Sequence, residues 1–328
     1  MAILMTDFPA LTLKLNDWYA EASRDAIADW VGKDYYDVGE TDWEVFNTVG
    51  LYGLGRPSRV GDGEQLPSID SKQGDTMSLT QIYYGNRFGV TKRMRKFDRY
   101  DEIKKLPKAM SDGYFDSIDQ THADLLTNAF AGTSYIDVFG YAQSNLASDG
   151  VVGFSASHTN NLNSSVFSNL IANAAGTENT GIDRDSIVST IAAGKKYRDP
   201  AADLNRPIKL DRVIVSSTNY DLAQRIIFSA GVQGTPNVDS NPLRSDVSSL
   251  VEWSRLDQDA AGNDRSARWF MCDSKNVKDS LRSPFAQRPM MFPPEEVNDS
   301  KTWEWTGDMF YTLGIDNPKA IFGSTGAN

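Results

Sequence analysis

Two histidines, one cysteine and a few glycine-flanked serines and lysines are the side chains through which this sequence could do chemistry. A histidine-built metal site needs several imidazoles at ligand spacing, whereas His122 and His158 stand far apart. His122 also falls on the apolar face of a helical stretch, where a satisfied core or interface histidine is the simpler reading. Gly153-Phe154-Ser155-Ala156-Ser157 carries one glycine of a nucleophile elbow and lacks the second, so the turn that exposes a catalytic serine is not specified. Gly194-Lys195 is not a phosphate loop: Ser189 stands where the first glycine belongs, and Lys196 replaces the Ser or Thr. Gly50, Gly53 and Gly55 do not form a dinucleotide-binding spacing. Cys272 lies in an apolar run, the setting of a buried, inert thiol. Carboxylates are plentiful but show no pattern beyond solvated faces. The expectation is no catalytic, cofactor-binding or metal-ligating residue, and no enzyme.

The elements that would have to position such residues are more telling. Asp98–Phe130 reads as one long amphipathic helix, with Ile103, Leu106, Met110, Tyr114, Ile118, His122, Leu125 and Ala129 at steps of three or four. Pro107 interrupts it, so the regular helix is placed at Pro107–Phe130, about 36 Å at 1.5 Å per residue. Gly132 is the expected stop. Thr80–Met94 reads as a long strand, with Ile82, Tyr84, Phe88, Val90 and Met94 on one parity. Trp303–Ile315 reads as another, its apolar residues all odd-numbered, spanning roughly 43 Å. A long helix on long strands makes a flat, elongated tile.

Three further stretches complete the picture. Lys14–Val31 reads as a helix with Trp18, Ala22, Ala26 and Trp30 on one face, packing on another copy of the chain. Gly53–Asp75 is polar and rich in Gly and Pro: either a disordered insertion or a two-stranded flap reaching a neighbour. Thr133–Pro289 changes to shorter elements. Helices are expected at Asp183–Arg198 and Ser217–Phe228, the latter capped by Ser217 or Thr218. Short strands are expected at Arg212–Val215, Leu250–Trp253 and Trp269–Cys272, with a turn-rich segment at Asp257–Asp264. The chain thus leaves the elongated part after Phe130, builds a second domain and returns.

Composition narrows the class. Over 328 residues, hydrophobic side chains at 40% and charged ones at 23% suit a globular chain with a real core. Thirty-three basic against forty-four acidic residues give a net charge of −11, which argues against a dedicated nucleic-acid binder. It suits a surface that sits near DNA without sticking to it. The basic cluster Lys92, Arg93, Arg95, Lys96 and Arg99 is expected to pair with acidic surface on a neighbour. The single cysteine fits a reducing cytoplasm. No apolar run is long enough for a membrane span, and Met1–Leu15 does not read as a signal peptide.

The order of these elements resembles the major capsid protein of tailed bacteriophages, with the Hong Kong 97-type fold. The resemblance implies an α+β fold with an N-terminal arm (1–31) and a peripheral domain (32–132) carrying an extended loop (53–75) and a long spine helix (about 107–130). An axial domain (133–289) and a peripheral return strand (290–328) would follow. Asp149–Asn160 is similar to the turn after the spine helix in Mu-type head subunits, and Arg268–Ser274 resembles a Trp-centred strand of phage axial domains. The implied function is a major head protein that self-assembles as pentamers and hexamers into an icosahedral shell around double-stranded DNA. The shell would enclose DNA without sequence-specific binding, and no membrane or cofactor takes part. Scaffolding, portal and decoration proteins are implied partners, with the scaffold separate or already removed. Assembly would take place in the host bacterial cytoplasm, and the mature protein would reside in the virion. One member of the family crosslinks a loop lysine to a neighbour's asparagine. Lys72 sits in the candidate loop, but no motif carries that chemistry over. A different virion or tail-associated binding protein is the alternative, and a hydrolase with an unseen site the weakest reading.

Overall fold

The computed structural model describes residues 8–52, 59–60, 62, 64–66, 68, 72–97, 102–160, 165–199, 204–231, 240–297 and 302–326. Helix α1 (Phe8–Asp29) leads to a hairpin of β1 (Val45–Tyr52) and β2 (Lys72–Thr80), then β3 (Ile82–Thr91), the short helix α2 (Lys92–Phe97) and the long helix α3 (Glu102–Asn128). Small ribbons follow: β4 (Ser134–Ile136) with β5 (Ala142–Ser144), and β6 (His158–Thr159) with β7 (Val166–Phe167). Next come α4 (Arg184–Lys195), the ribbon of β8 (Arg198–Asp199) and β9 (Leu204–Asn205), and β10 (Leu210–Val215). Helices α5 (Ser217–Phe228) and α6 (Leu243–Asp246) precede strands β11 (Ser249–Glu252) and β12 (Trp269–Asp273). The last part holds α7 (Val277–Ser280), β13 (Leu281–Arg282), β14 (Phe285–Met291), β15 (Glu295–Val297), β16 (Thr302–Tyr311), β17 (Gly314–Ile315) and β18 (Ile321–Ser324).

The two long strands pair with each other. β3 and β16 run antiparallel in unbroken register from Thr91 opposite Thr302 to Ile82 opposite Tyr311. On β16 the odd residues Trp305, Met309 and Tyr311 are buried, as their alternation predicts. Gly307 faces the spine: a Cβ there would meet Met110 Sδ at 2.8 Å. The strand reading ran too far at both ends. β3 stops at Thr91, whose side chain accepts the Met94 N–H at 3.2 Å and starts α2; Met94 is therefore helical. β16 stops at Tyr311, and Gly314–Ile315 pairs instead with β13.

Helix α3 starts upstream of its proline, at Glu102 rather than Pro107, and ends at Asn128. An interior proline costs about 3 kcal/mol. Burial of Ile103, fully enclosed with Val90 and Trp305, offsets much of that at about 1.5–3 kcal/mol. Toward its end α3 is buried on every side, Thr121 through Thr127, because it runs between two sheets.

The second sheet has the order β11-β10-β12-β18. Its strands are apolar on both faces for a visible reason. Val213, Val215, Trp269 and Met271 pack toward α4 and α5, while Ile214, Phe270 and Cys272 pack toward the α3 core. Strand β18 corrects the expected layout: the chain end does not stay with the long strands but closes this second sheet against β12.

The arm is corrected as well. α1 begins at Phe8, well before Lys14. It packs within its own chain, with Leu11 and Leu15 buried against Val90, Ile103 and Trp305. Ser23 Oγ lies 2.9 Å from Ser111 Oγ on α3. The buried stripe includes Leu11, Leu15, Tyr19 and Ala22, with Trp18 only partly covered.

Candidate functional site

The residues singled out for chemistry do not converge. His122 is fully buried and satisfied on both nitrogens. Nδ1 accepts from Trp30 Nε1–H at 3.2 Å, and Nε2–H donates to Ser283 Oγ at 2.9 Å. Its ring stacks on Tyr36 at 4.1 Å. Burial lowers its pKa to about 3, so the ring is neutral. Gly32 is required beside it, because a Cβ there would collide with the imidazole.

His158 is buried in the turn that follows the spine helix. Nδ1 donates to Asp149 Oδ2 at 2.8 Å and Nε2 to the Gly153 carbonyl at 3.3 Å. Burial by itself would raise the Asp149 pKa. The hydrogen bond and charge of His158, with the N–H groups of Val151 and Thr159, outweigh it and hold Asp149 below its ordinary value. Ser155 and Ser157 hydrogen-bond each other at 3.1 Å, in a turn whose Ser155 N–H donates to Asn169. Cys272 is buried in β12 and its thiol is pushed up to about 12 by burial. Lys195 ends α4 and lies 3.7 Å from Asp246. Lys72 opens β2, opposite Tyr52. Among the described residues, no group of His, Cys, Asp and Glu is placed to hold a metal ion. No helix there is long and apolar enough to cross a membrane.

What the fold presents instead is surface. The predicted flap is larger than the sequence suggested: β1 and β2 form a two-stranded sheet of their own, and Lys72–Asp75, read as loop, is strand. The greater part of 53–71 lies outside the described residues. The hairpin leaves Trp43, Val45 and Val49 exposed, Trp43 at 73%. Its base is seated on its own chain. Met77 is buried, and Gly314 leaves room for Leu79, which a Cβ would meet at 2.8 Å. A second exposed apolar group, Ile136, Val138 and Tyr141, lies on and beside the β4–β5 ribbon. Helix α2 presents the basic cluster. Lys92, Arg93 and Lys96 are exposed, and Arg95 lies 5.8 Å over the Trp303 ring. Arg99 is outside the described residues.

Sequence reasoning missed the polar junctions that hold these surfaces in place. Asp119, inside α3, accepts from the Gly32 N–H at 2.9 Å and from Trp253 Nε1–H at 3.1 Å. It thereby ties the arm turn to the second sheet. Asp124 accepts from Gln120 and from the Ala260 N–H, while its Oδ2 has no hydrogen-bond partner among the described residues. Burial raises its pKa to about 7. The turn-rich Asp257–Asp264 segment therefore clasps α3. Its Asp257 also receives the Thr218 N–H and hydroxyl at the start of α5. The cap of that helix is Ser216, without a side-chain hydrogen bond to the helix, rather than Ser217 or Thr218. Arg282 gathers Asp37 at 2.5 Å and Asp316 at 3.4 Å. An acidic residue in an otherwise apolar helical stripe was the only local signal for Asp119 and Asp124.

Comparison with known proteins agrees with this arrangement. The model of a family described as phage capsid protein matches residues 75–323. No curated protein matches the chain. Among solved structures, the capsid of the cyanophage P-SCSP1u is similar with a TM-score of 0.55 at 13% identity, over 91% of this chain and 88% of that one. The capsid of Ralstonia phage GP4 is similar with a TM-score of 0.54 at 12% identity, over 89% and 86%.

Proposed function

Since the chain belongs to the phage capsid protein family and has the Hong Kong 97-type fold of tailed-phage major capsid proteins, we propose that its copies close an icosahedral shell as pentamers and hexamers around double-stranded DNA. Its role is that of a major capsid protein, a structural part of the capsid. The carrying observation is the β1–β2 hairpin, a sheet of two strands with Val45 and Val49 exposed on it and Trp43 exposed just before it. An isolated hairpin is marginal in water and gains most by covering a neighbour. The hairpin is thus the extended loop, α3 the spine and β11-β10-β12-β18 the axial sheet, and the return segment serves both domains. Helix α1, seated on α3, acts as part of the body rather than as an exchanged arm.

The protein works without catalysis, assembles in the host cytoplasm with a separate scaffold, meets a portal and decoration proteins, and resides in the virion. Its acidic balance keeps packaged DNA from binding tightly. Electron microscopy of the purified protein, with and without its co-expressed scaffold, tests this. Closed shells of uniform diameter are expected, and a compact monomer under both conditions would refute it.

A further inference from the structure

A groove of about 540 Å³ opens between the end of α1, the middle of α3 and the strand end at Trp253. Six carboxylates line it, Asp25, Asp29, Asp112, Asp116, Asp119 and Glu252, against two cations, Lys108 and Arg255. Trp30, Phe115 and Trp253 supply apolar walls. Asp112 shares this lining with Asp25 and Asp116. Its partial burial, with Asp116 and Asp25 nearby, holds its pKa above the ordinary value despite Lys108. The negative end of α1 adds to the field, since its last turn holds no basic residue. Lys33 answers only part of it, by donating to the Ile27 and Ala28 carbonyls.

Elsewhere on the same chain stands the complement. The six residues of α2 span about 9 Å. Lys92, Arg93 and Lys96 share one face at helical spacing. Among the described residues no carboxylate pairs with these three. Phe97 follows them, 57% exposed, an apolar tip suited to aromatic walls.

We infer that the acidic groove of one subunit receives helix α2 of a neighbouring subunit, as a heterologous contact repeated around each capsomer. Each copy then donates one α2 and accepts another, the arrangement that closes rings. This rests on the shell reading above and adds to it a named pair of surfaces. Nucleic acid is the weaker occupant for α2, because the chain as a whole repels phosphate.

Charge reversal tests it. The variant Arg93→Glu with Lys96→Glu, and the variant Asp25→Lys with Asp29→Lys, alter exposed side chains. Each should melt like the parent as a subunit. Each should lower shell yield by about tenfold or more, as like charges brought together at an interface do. Combining all four should restore shells. Independently, Arg93→Cys with Asp25→Cys should give covalent oligomers on a non-reducing gel after mild oxidation of shells, while either single variant should not.

Parent protein that builds no shells overturns the shell reading and this contact with it. Parent shells together with charge variants that still assemble overturn the contact alone. So does a combined variant without rescue. Loss on the groove side only would mean that a different cation fills the groove, and it would overturn the contact as well.

Discussion

Removing the Asp119 carboxylate should loosen the joint between arm, spine and second sheet. Its two oxygens accept from two buried donors, the Gly32 N–H and Trp253 Nε1–H, at 2.9 and 3.1 Å. Asp119→Ala leaves both donors without an acceptor. An unsatisfied buried donor costs about 1–3 kcal/mol, so the two together reach about 2–6 kcal/mol. Part of this is offset, because burial already penalises the charged carboxylate and raises its pKa. A net loss of about 2–4 kcal/mol is therefore expected. At an unfolding entropy of about 2.1 cal/mol/K per residue, Tm should fall by roughly 3–6 °C. Asp119→Asn keeps one acceptor and should fall in between. In a Trp253→Phe background, where one donor is already gone, the loss from Asp119→Ala should shrink by about 1–3 kcal/mol. The assay is thermal melting of the unassembled subunit, followed by circular dichroism and tryptophan fluorescence. If Asp119→Ala melts with the parent, the carboxylate does not hold the joint and the reasoning fails.

Asp124 should make stability depend on pH with the opposite sign to most carboxylates. Its folded pKa of about 7 lies above its ordinary value of 3.8. Its contribution is therefore complete below about pH 4 and is lost as pH rises through 7. Relative to the parent, Asp124→Asn should gain stability as pH rises from about 4 to about 7 and level off above that in parallel melts, on the ordinary carboxylate pKa of about 4. A constant difference would contradict the raised pKa. Gly153→Ala should lose about 1–3 kcal/mol by overpacking. Its Cβ would overlap Ile315 Cδ1 and meet Ala129 Cβ at 3.0 Å; an unchanged denaturation midpoint would contradict that packing. Replacing residues 53–71 by an Asn-Gly turn joins Tyr52 to its ladder partner Lys72. The subunit should melt as before, while sedimentation should show no shells. Normal shells from this variant would make the segment a passive insertion.

Much of the elongated half was legible as periodicity. The odd-numbered run of β16, the parity of β3 and the spine stripe of α3 each report one buried side, and burial on one side leaves its period in the sequence. The enclosed, satisfied setting of His122 was equally legible. Periodicity does not say what covers the buried side. Helix α1 has an apolar stripe that another copy could have covered, and only the tertiary structure shows Leu11 and Leu15 against Val90 and Trp305. Strand β1 escaped notice because a register shift between Val49 and Leu51 disturbs its alternation and leaves Val45 and Val49 outward. Four residues, Ile321–Ser324, are too few to announce a sheet, and their place beside β12 comes from pairing across a long stretch of chain. The start of α3 was set the same way, since packing around Ile103 outweighed the local preference of Pro107. Local order was written in residue spacing, while partners distant in sequence were chosen by burial and by hydrogen bonds that exist only once the chain has closed on itself.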